Sequence, residues 1–280
     1  MTALARDHTA KCAGHPVFVR IALVAGVLAM GAMTPALAQD ADLAQQLSNP
    51  LANLISVPLQ FNVNEGYIGG DGRQNVLNVQ PVLPFSISPN WNLISRTIVP
   101  LIDQTGVVPG GESQSGIGPI TQNFFFSPKA PTAGGVIWGA GPVFTTPPLN
   151  EDLGRDQWGL GATVVALTVK GPLTVGFLGN HIWSVTNNDV FGEQSNTFLQ
   201  PFLSYTLPSA TTFSLNTETG YNWTTDQWSV PINLAVAQML NAWGQPIQVT
   251  GGIRYWADAP ENGPEGWGAR IVLTYLFPKG

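Results

Sequence analysis

Four charged residues stand inside otherwise uncharged stretches of this chain: Arg96 in WNLISRTIVPL, Glu218 in FSLNTETGYN, Arg254 in QVTGGIRYW and Arg270 in GARIVLTYLF. A carboxylate facing guanidinium groups can satisfy them through bidentate hydrogen bonds, or it can leave a basic patch that attracts an anionic or aromatic solute. The sequence leaves both readings open. A second constellation, His181 near Ser184 in NHIWS, has the residue types of a base and a nucleophile. That chemistry also needs a third group to orient the imidazole, and none is evident nearby. GESQSG, Gly111 to Gly116, resembles the G-x-S-x-G elbow but misplaces its last glycine and lacks a strand-turn-helix setting. NNDVFGE, Asn187 to Glu193, puts Phe191 where a calcium loop needs an oxygen and has no bidentate Glu at the long spacing. GIGPIT and GGDGRQ are turn glycines without the strand-to-helix context of a phosphate cradle. No catalytic residue, no metal site and no cofactor is expected, beyond weak divalent binding where acidic loops meet lipopolysaccharide phosphates.

Whether the four charges meet depends on the elements that carry them. Ile55, Val57, Leu59, Phe61 and Val63 alternate with Ser56, Pro58, Gln60, Asn62 and Asn64, and a period of two is the mark of a strand whose faces see different surroundings. Leu77, Val79, Pro81, Leu83 and Phe85 alternate around Asn78 and Gln80, and Phe213, Leu215 and Tyr221 around Ser214, Asn216 and Glu218. About twelve such stretches of roughly ten residues follow one another. The connections after the even-numbered ones (SISPN, PKAPTAG, GP, PSATT, MLNAWG) are mostly short and nearly uncharged. Those after the odd-numbered ones (for example TTPPLNEDLGRDQ and ADAPENGPEG) are mostly longer and acidic, TTDQ being the short exception. Beyond residue 38, only Asp40, Asp42 and Glu218 among the acidic residues fall outside the connections after the odd-numbered stretches. Short turns on one rim and long loops on the other predict an all-β fold: an antiparallel up-and-down transmembrane β-barrel with both termini at the short-turn rim.

Composition says which face meets oil. The chain has 280 residues, 10% of them charged and 44% hydrophobic; a soluble sandwich would show Lys and Glu on its exposed face. Here the face opposite the apolar one carries Asn, Gln, Ser, Thr and Gly, as a narrow lumen would. An Arg against lipid at the bilayer midplane costs about 2–4 kcal/mol, so strand charges belong with the polar set. Glu218, Arg254 and Arg270 do so by parity, and Arg96 shares parity with Asn92 but also with Ile94 and Ile98. The expected lumen-lining or constriction residues are therefore Arg96, Glu218, Arg254, Arg270, Asn62, Asn78, Gln80, Asn216 and Gln248. Phe125, Phe198, Phe202, Pro58 and Pro231 fall on the same inward parity. Trp91, Trp158, Trp183, Tyr221, Trp223, Trp228, Trp256, Trp267 and Phe277 are expected in girdles at the two interfaces.

Residues 1–38 read as a cleaved signal peptide: Arg6, Lys11 and Arg20 precede the apolar run Ile21 to Met33, and Ala36-Leu37-Ala38 is a small-x-small cleavage site. Cleavage would remove the single cysteine, Cys12, and excludes disulfides. It also makes a chain of net charge −6 two charges more acidic, so nucleic acid is not an expected partner. Residues 39–53 read as a short N-terminal periplasmic segment with a helical turn or two, and 54–280 as the barrel.

In wording as well as pattern, SNPLANLISVPLQFN at Ser48, QNVLNVQPVLPFSISPNWNLISRTIVPL at Gln74, GIGPITQNFFFSPKAP at Gly116, IWGAGPVF at Ile137, FLQPFLSYTLP at Phe198 and the closing YLFPK resemble one family. It comprises bacterial outer-membrane transporters of the MetA pathway of phenol degradation, some of whose members carry the name neuromedin U. The resemblance implies a Gram-negative outer-membrane barrel that passes small, hydrophobic or aromatic molecules, and it supplies no functional residues. The aromatic-ended last strand also looks like the segment by which barrel assembly machinery selects its clients, although Pro278-Lys279-Gly280 follows Phe277. The expected partners are outer-membrane lipids and lipopolysaccharide, that machinery and a small-molecule solute. The alternative functions are a structural or adhesive surface barrel with a sealed lumen and, last, an outer-membrane lipid hydrolase.

Overall fold

The computed structural model describes residues 35–67, 71–107, 113–186, 192–242 and 244–278. Most of the expected signal peptide, Gly69 and Gly70 of GGDGRQ, Gly111 and Glu112 of the elbow-like motif and Asn187 to Phe191 of the calcium-loop-like motif lie outside the described residues.

The strands are β1 (Ile55–Tyr67), β2 (Gly72–Val79 and Val82–Ser86), β3 (Trp91–Thr105), β4 (Gln114–Ile117 and Thr121–Pro128), β5 (Val136–Thr145) and β6 (Gly159–Lys170). They continue as β7 (Leu173–Ser184), β8 (Ser195–Thr206), β9 (Thr211–Thr217 and Thr219–Asn222), β10 (Gln227–Ala242), β11 (Gln245–Asp258) and β12 (Gly266–Phe277). Each is antiparallel to its sequence neighbours, and β1 pairs with β12 from Ile55↔Phe277 to Val63↔Ala269, so the twelve-stranded sheet closes on itself as a barrel. Closure leaves no open sheet edge, the condition for a β-structure to sit in lipid.

The breaks inside β2 and β9 have a common cause. Pro81 interrupts β2, and Pro231 of β10 stands opposite Glu218, where β9 opens. A proline offers no N–H to its neighbour. Glu218 N still donates to Pro231 O at 3.1 Å, and β10 shifts register against β11 at Val230/Pro231. A local bulge of this kind re-aims side chains.

The strands are longer at the long-loop rim than the sequence periodicity predicts. β1 runs on to Tyr67 and β3 to Thr105, and Gln114–Ile117 pairs with Leu101–Gln104. Much of the expected third loop is thus a hairpin, held in part by side chains: Gln104 Nε2 donates to Gln114 Oε1 at 2.6 Å and Gln74 Nε2 to Gln104 Oε1 at 2.8 Å.

The outer wall is apolar. Leu203, Leu215, Leu234 and Ile253 form one cross-strand row over four neighbouring strands, and all four are exposed. Such a row would be a strong liability in water and is the natural surface for acyl chains. Aromatics ring it: Trp91 packs edge-on against Trp138, Tyr221 contacts Trp223 and Trp228, and Tyr255 contacts Trp267.

At the short-turn rim, helix α1 (Pro35–Leu47) precedes the barrel. It is longer than the expected turn or two, because Pro near a helix start and an Ala-, Leu- and Gln-rich run favour helix throughout. Its Leu43 and Ala44 bury against Ala210, Met239 and Leu276, and Gln45 Nε2 donates to Gly171 O of the β6–β7 turn.

Candidate functional site

The inward faces of the strands enclose a lumen with two unlike walls. On one wall, the short residues of β1 and β9–β12 surround an ion cluster. Arg254 Nη2 lies 2.6 Å from Glu218 Oε2, and Arg270 binds the same carboxylate at both oxygens, Nη1 to Oε1 at 2.9 Å and Nη2 to Oε2 at 2.7 Å. The remaining guanidinium nitrogens also have partners. Arg270 Nε donates to Asn62 Oδ1 at 2.7 Å, Arg254 Nε to Asn233 Oδ1 at 2.8 Å and Arg254 Nη1 to Asn64 Oδ1 at 3.2 Å. Asn233 in turn donates to Asn216 Oδ1 at 2.9 Å. Both arginine side chains are 7% exposed, so the lone acid offsets one of two buried cations while the asparagines satisfy their geometry. Of the two sequence readings, the cluster that satisfies itself describes these three residues.

Arg96 differs. It also points inward, and its Nη2 donates to Gln80 Oε1 at 2.8 Å; among the described residues it forms no ion pair. Its neighbours on β3 and β4 are apolar below, where Ile94 and Phe125 are fully buried, and polar beside it, where Asn123 is its cross-strand partner.

The segment after α1 enters the barrel from the short-turn rim. Asn49 Oδ1 accepts from Leu51 N at 2.9 Å and Asn49 O from Ala52 N at 3.0 Å, a turn that suits Asn followed by Pro. The turn carries Leu51 into one buried cluster with Ile94, Phe125, Val165, Leu167 and Leu178. Gly139 makes the seat: a Cβ there would lie 3.1 Å from Leu51 Cδ2.

What remains of the lumen is a set of adjoining chambers. A lower one of about 310 Å³ has Gln46 to Pro50 as its floor and Gln60, Gln80, Arg96 and Phe202 among its walls. An upper one of about 390 Å³ is lined by Arg96, Asn123, Leu178, Asn180, Phe198 and Pro260. Arg96 and Leu178 border both. A third, of about 360 Å³, lies beside the ion cluster and is lined by Asn62, Asn64, Asn78, Glu218, Arg254 and Trp256. Pro260 and Pro264 of the β11–β12 loop line it too, because Glu265 N donates to Glu65 O at 3.1 Å and holds that loop over the mouth.

Of the other residues singled out from the sequence, Gln248 lines the lower chamber, and Asn216 both the lower chamber and a small cavity beside Arg270. Trp256 is a correction. Expected in the outer girdle, it faces the lumen with Arg254 Cζ 5.5 Å from its ring centroid, because it shares parity with Arg254 two residues earlier. His181 sits on the outer face. It bonds Thr197 Oγ1 at 2.7 Å and Ser195 Oγ at 3.2 Å, packed on Trp183 at 4.2 Å. Ser184, the nearby serine in NHIWS, instead accepts from Gln194 N. The groups on the two imidazole nitrogens are thus neutral hydroxyls, that of Thr197 itself held by Trp223 Nε1 at 2.8 Å, which suits a girdle contact better than a charge-stabilised base. Leu51 carries no sequence signal, since its seat is assembled from five different strands.

No family model and no curated protein matches the chain. Among solved structures, the crystal structure of an outer membrane channel from Pseudomonas putida F1 is similar, with a TM-score of 0.63 at 15% identity over 80% of this chain and 96% of that one. Outer membrane phospholipase A from Escherichia coli is similar at a TM-score of 0.50 and 10% identity, over 80% of this chain and 96% of that one. At such identities the likeness is one of fold, that of outer-membrane barrels, and a channel and an enzyme share it.

Proposed function

We propose that the protein is an outer-membrane channel for passive passage of small, amphipathic or aromatic molecules, exported by the 1–38 signal and inserted among lipopolysaccharide and outer-membrane lipids by the barrel assembly machinery. The observation that carries this reading is that Arg96 and Leu178 border both the upper and the lower chamber, which sets the two chambers next to each other between the long-loop mouth and the N-terminal segment. Twelve strands give a lumen between the filled eight-stranded barrels and the wide porins. Its paired apolar and polar walls suit a solute with one oily and one polar side. The family resemblance and the channel from Pseudomonas putida F1 agree with this reading.

A second reading, a surface barrel with a sealed lumen, is favoured by the segment Gln46 to Pro50, which floors the lower chamber, and by Leu51 beside it, which is 5% exposed and anchors that segment in the buried cluster of the barrel wall. Planar-bilayer recordings of residues 39–280 separate the two. The channel reading expects steady openings that widen in Leu51→Ala. Silence of both proteins, each heat-modifiable and folded, would establish the sealed barrel instead.

A further inference from the structure

Arg96 and Asn123 are cross-strand partners on the inner wall, and Ile94 and Phe125, the pair two residues further towards the short-turn rim, lie directly beneath them. The polar pair and the apolar pair are roughly 7 Å apart along the strands, two residues at about 3.4 Å each. Within the polar pair, the guanidinium uses one of its N–H groups on Gln80, while Asn123 Oδ1 is buried and accepts no hydrogen bond from the described residues. A buried acceptor left unmatched is costly unless something supplies its donor. Within the apolar pair, both side chains are fully buried in one cluster with Val165, Leu167, Leu178 and Leu51, the last of these a residue on a turn rather than on a barrel strand. Leu178 borders the polar end and the apolar end alike.

We infer that this patch is a binding site for a small amphipathic carboxylate, and that Leu51 occupies its apolar half in place of the solute. The carboxylate takes the free N–H groups of Arg96, a hydroxyl on the solute donates to Asn123 Oδ1, and an apolar body the size of one phenyl ring lies on Ile94 and Phe125 once Leu51 has moved aside. A charge-assisted bond to Arg holds the head, and the exchange of one apolar side chain for another makes displacement of Leu51 inexpensive. As a station on a solute path the site rests on the channel reading, but its occupancy can be measured without flux.

The test is titration calorimetry of the refolded 39–280 chain in detergent with three probes: mandelate, phenylacetate, which lacks the hydroxyl, and methyl mandelate, which lacks the charge. Wild-type protein should bind mandelate at least tenfold more tightly than the ester and several-fold more tightly than phenylacetate. Arg96→Gln should erase the preference over the ester, Asn123→Val the preference over phenylacetate, and Leu51→Ala should tighten all three several-fold. Equal binding of the three probes by the wild type, or no tightening in Leu51→Ala, overturns the site, and neither outcome depends on whether the Arg96 variant folds. Liposome swelling by the same preparations with flat binding would leave a channel without this site, whereas the full binding pattern without swelling would keep the site and remove the channel.

Discussion

Arg270 grips Glu218 with both ends of its guanidinium, Nη1 on Oε1 at 2.9 Å and Nη2 on Oε2 at 2.7 Å, while Arg254 reaches the same Oε2 from the next strand at 2.6 Å. One carboxylate thus anchors two buried cations of β11 and β12, the strands next to the seam where the barrel closes. Removing a partner from such a pair costs more than the pair contributes, because it strands charge in a poorly solvated place. Glu218→Gln is therefore expected to lower barrel stability by about 3–5 kcal/mol, read from urea unfolding in lipid vesicles. An unchanged midpoint would mean that water in the adjoining chamber solvates the arginines.

The same geometry moves the expected selectivity filter. Arg254 and Arg270 have their donors occupied by Glu218 and by Asn62, Asn64 and Asn233, whereas Arg96 borders two chambers with a neutral partner. Reversal potentials under a salt gradient should therefore shift towards cations in Arg96→Gln and move less in Arg254→Gln. The opposite ranking would return the filter to the ion cluster.

The strand parity of Arg254, Arg270 and Glu218 was legible because a period of two ties each residue to its i±2 neighbours, and lipid makes the wrong face expensive. Trp256 lies in the lumen and not in the girdle because its parity with Arg254 outweighs its place near a strand end. The extensions of β1 and β3 past the expected rim escaped notice because strands above the bilayer lose their apolar face and look like loops. Leu51 could not be read at all. Its seat joins β3, β4, β5, β6 and β7 to a turn dozens of residues earlier, and no local pattern records such a meeting.

Outward parity has its own check in Leu234, 52% exposed at the centre of the apolar row. Leu234→Arg should cost about 2–4 kcal/mol if that row lies near the midplane. Gln248→Arg, which extends into the lower chamber, should cost much less. Equal penalties in vesicle unfolding experiments would contradict the assignment of faces.

Gly139 offers a way to unseat Leu51 without touching it. A methyl at this position would come 3.1 Å from Leu51 Cδ2, 3.3 Å from Leu51 Cδ1 and 3.3 Å from Phe125 Cβ, and overfilling a packed site costs about 1–3 kcal/mol. Phe125 is fixed in a barrel strand and fully buried, whereas Leu51 is carried on a turn held by Asn49, so the turn is the part that yields. Gly139→Ala is expected to leave the heat-modifiable barrel intact while the 39–54 segment is cut faster by protease added to the detergent-solubilised protein, and bilayer conductance should rise alongside. Leu51→Ala should raise conductance by a different route, emptying the slot without pushing on the turn, and so produce a smaller gain in cleavage. If Gly139→Ala instead unfolds the barrel and spares the segment, then the N-terminal turn is the rigid partner, and Leu51 is a permanent stopper rather than a displaceable one.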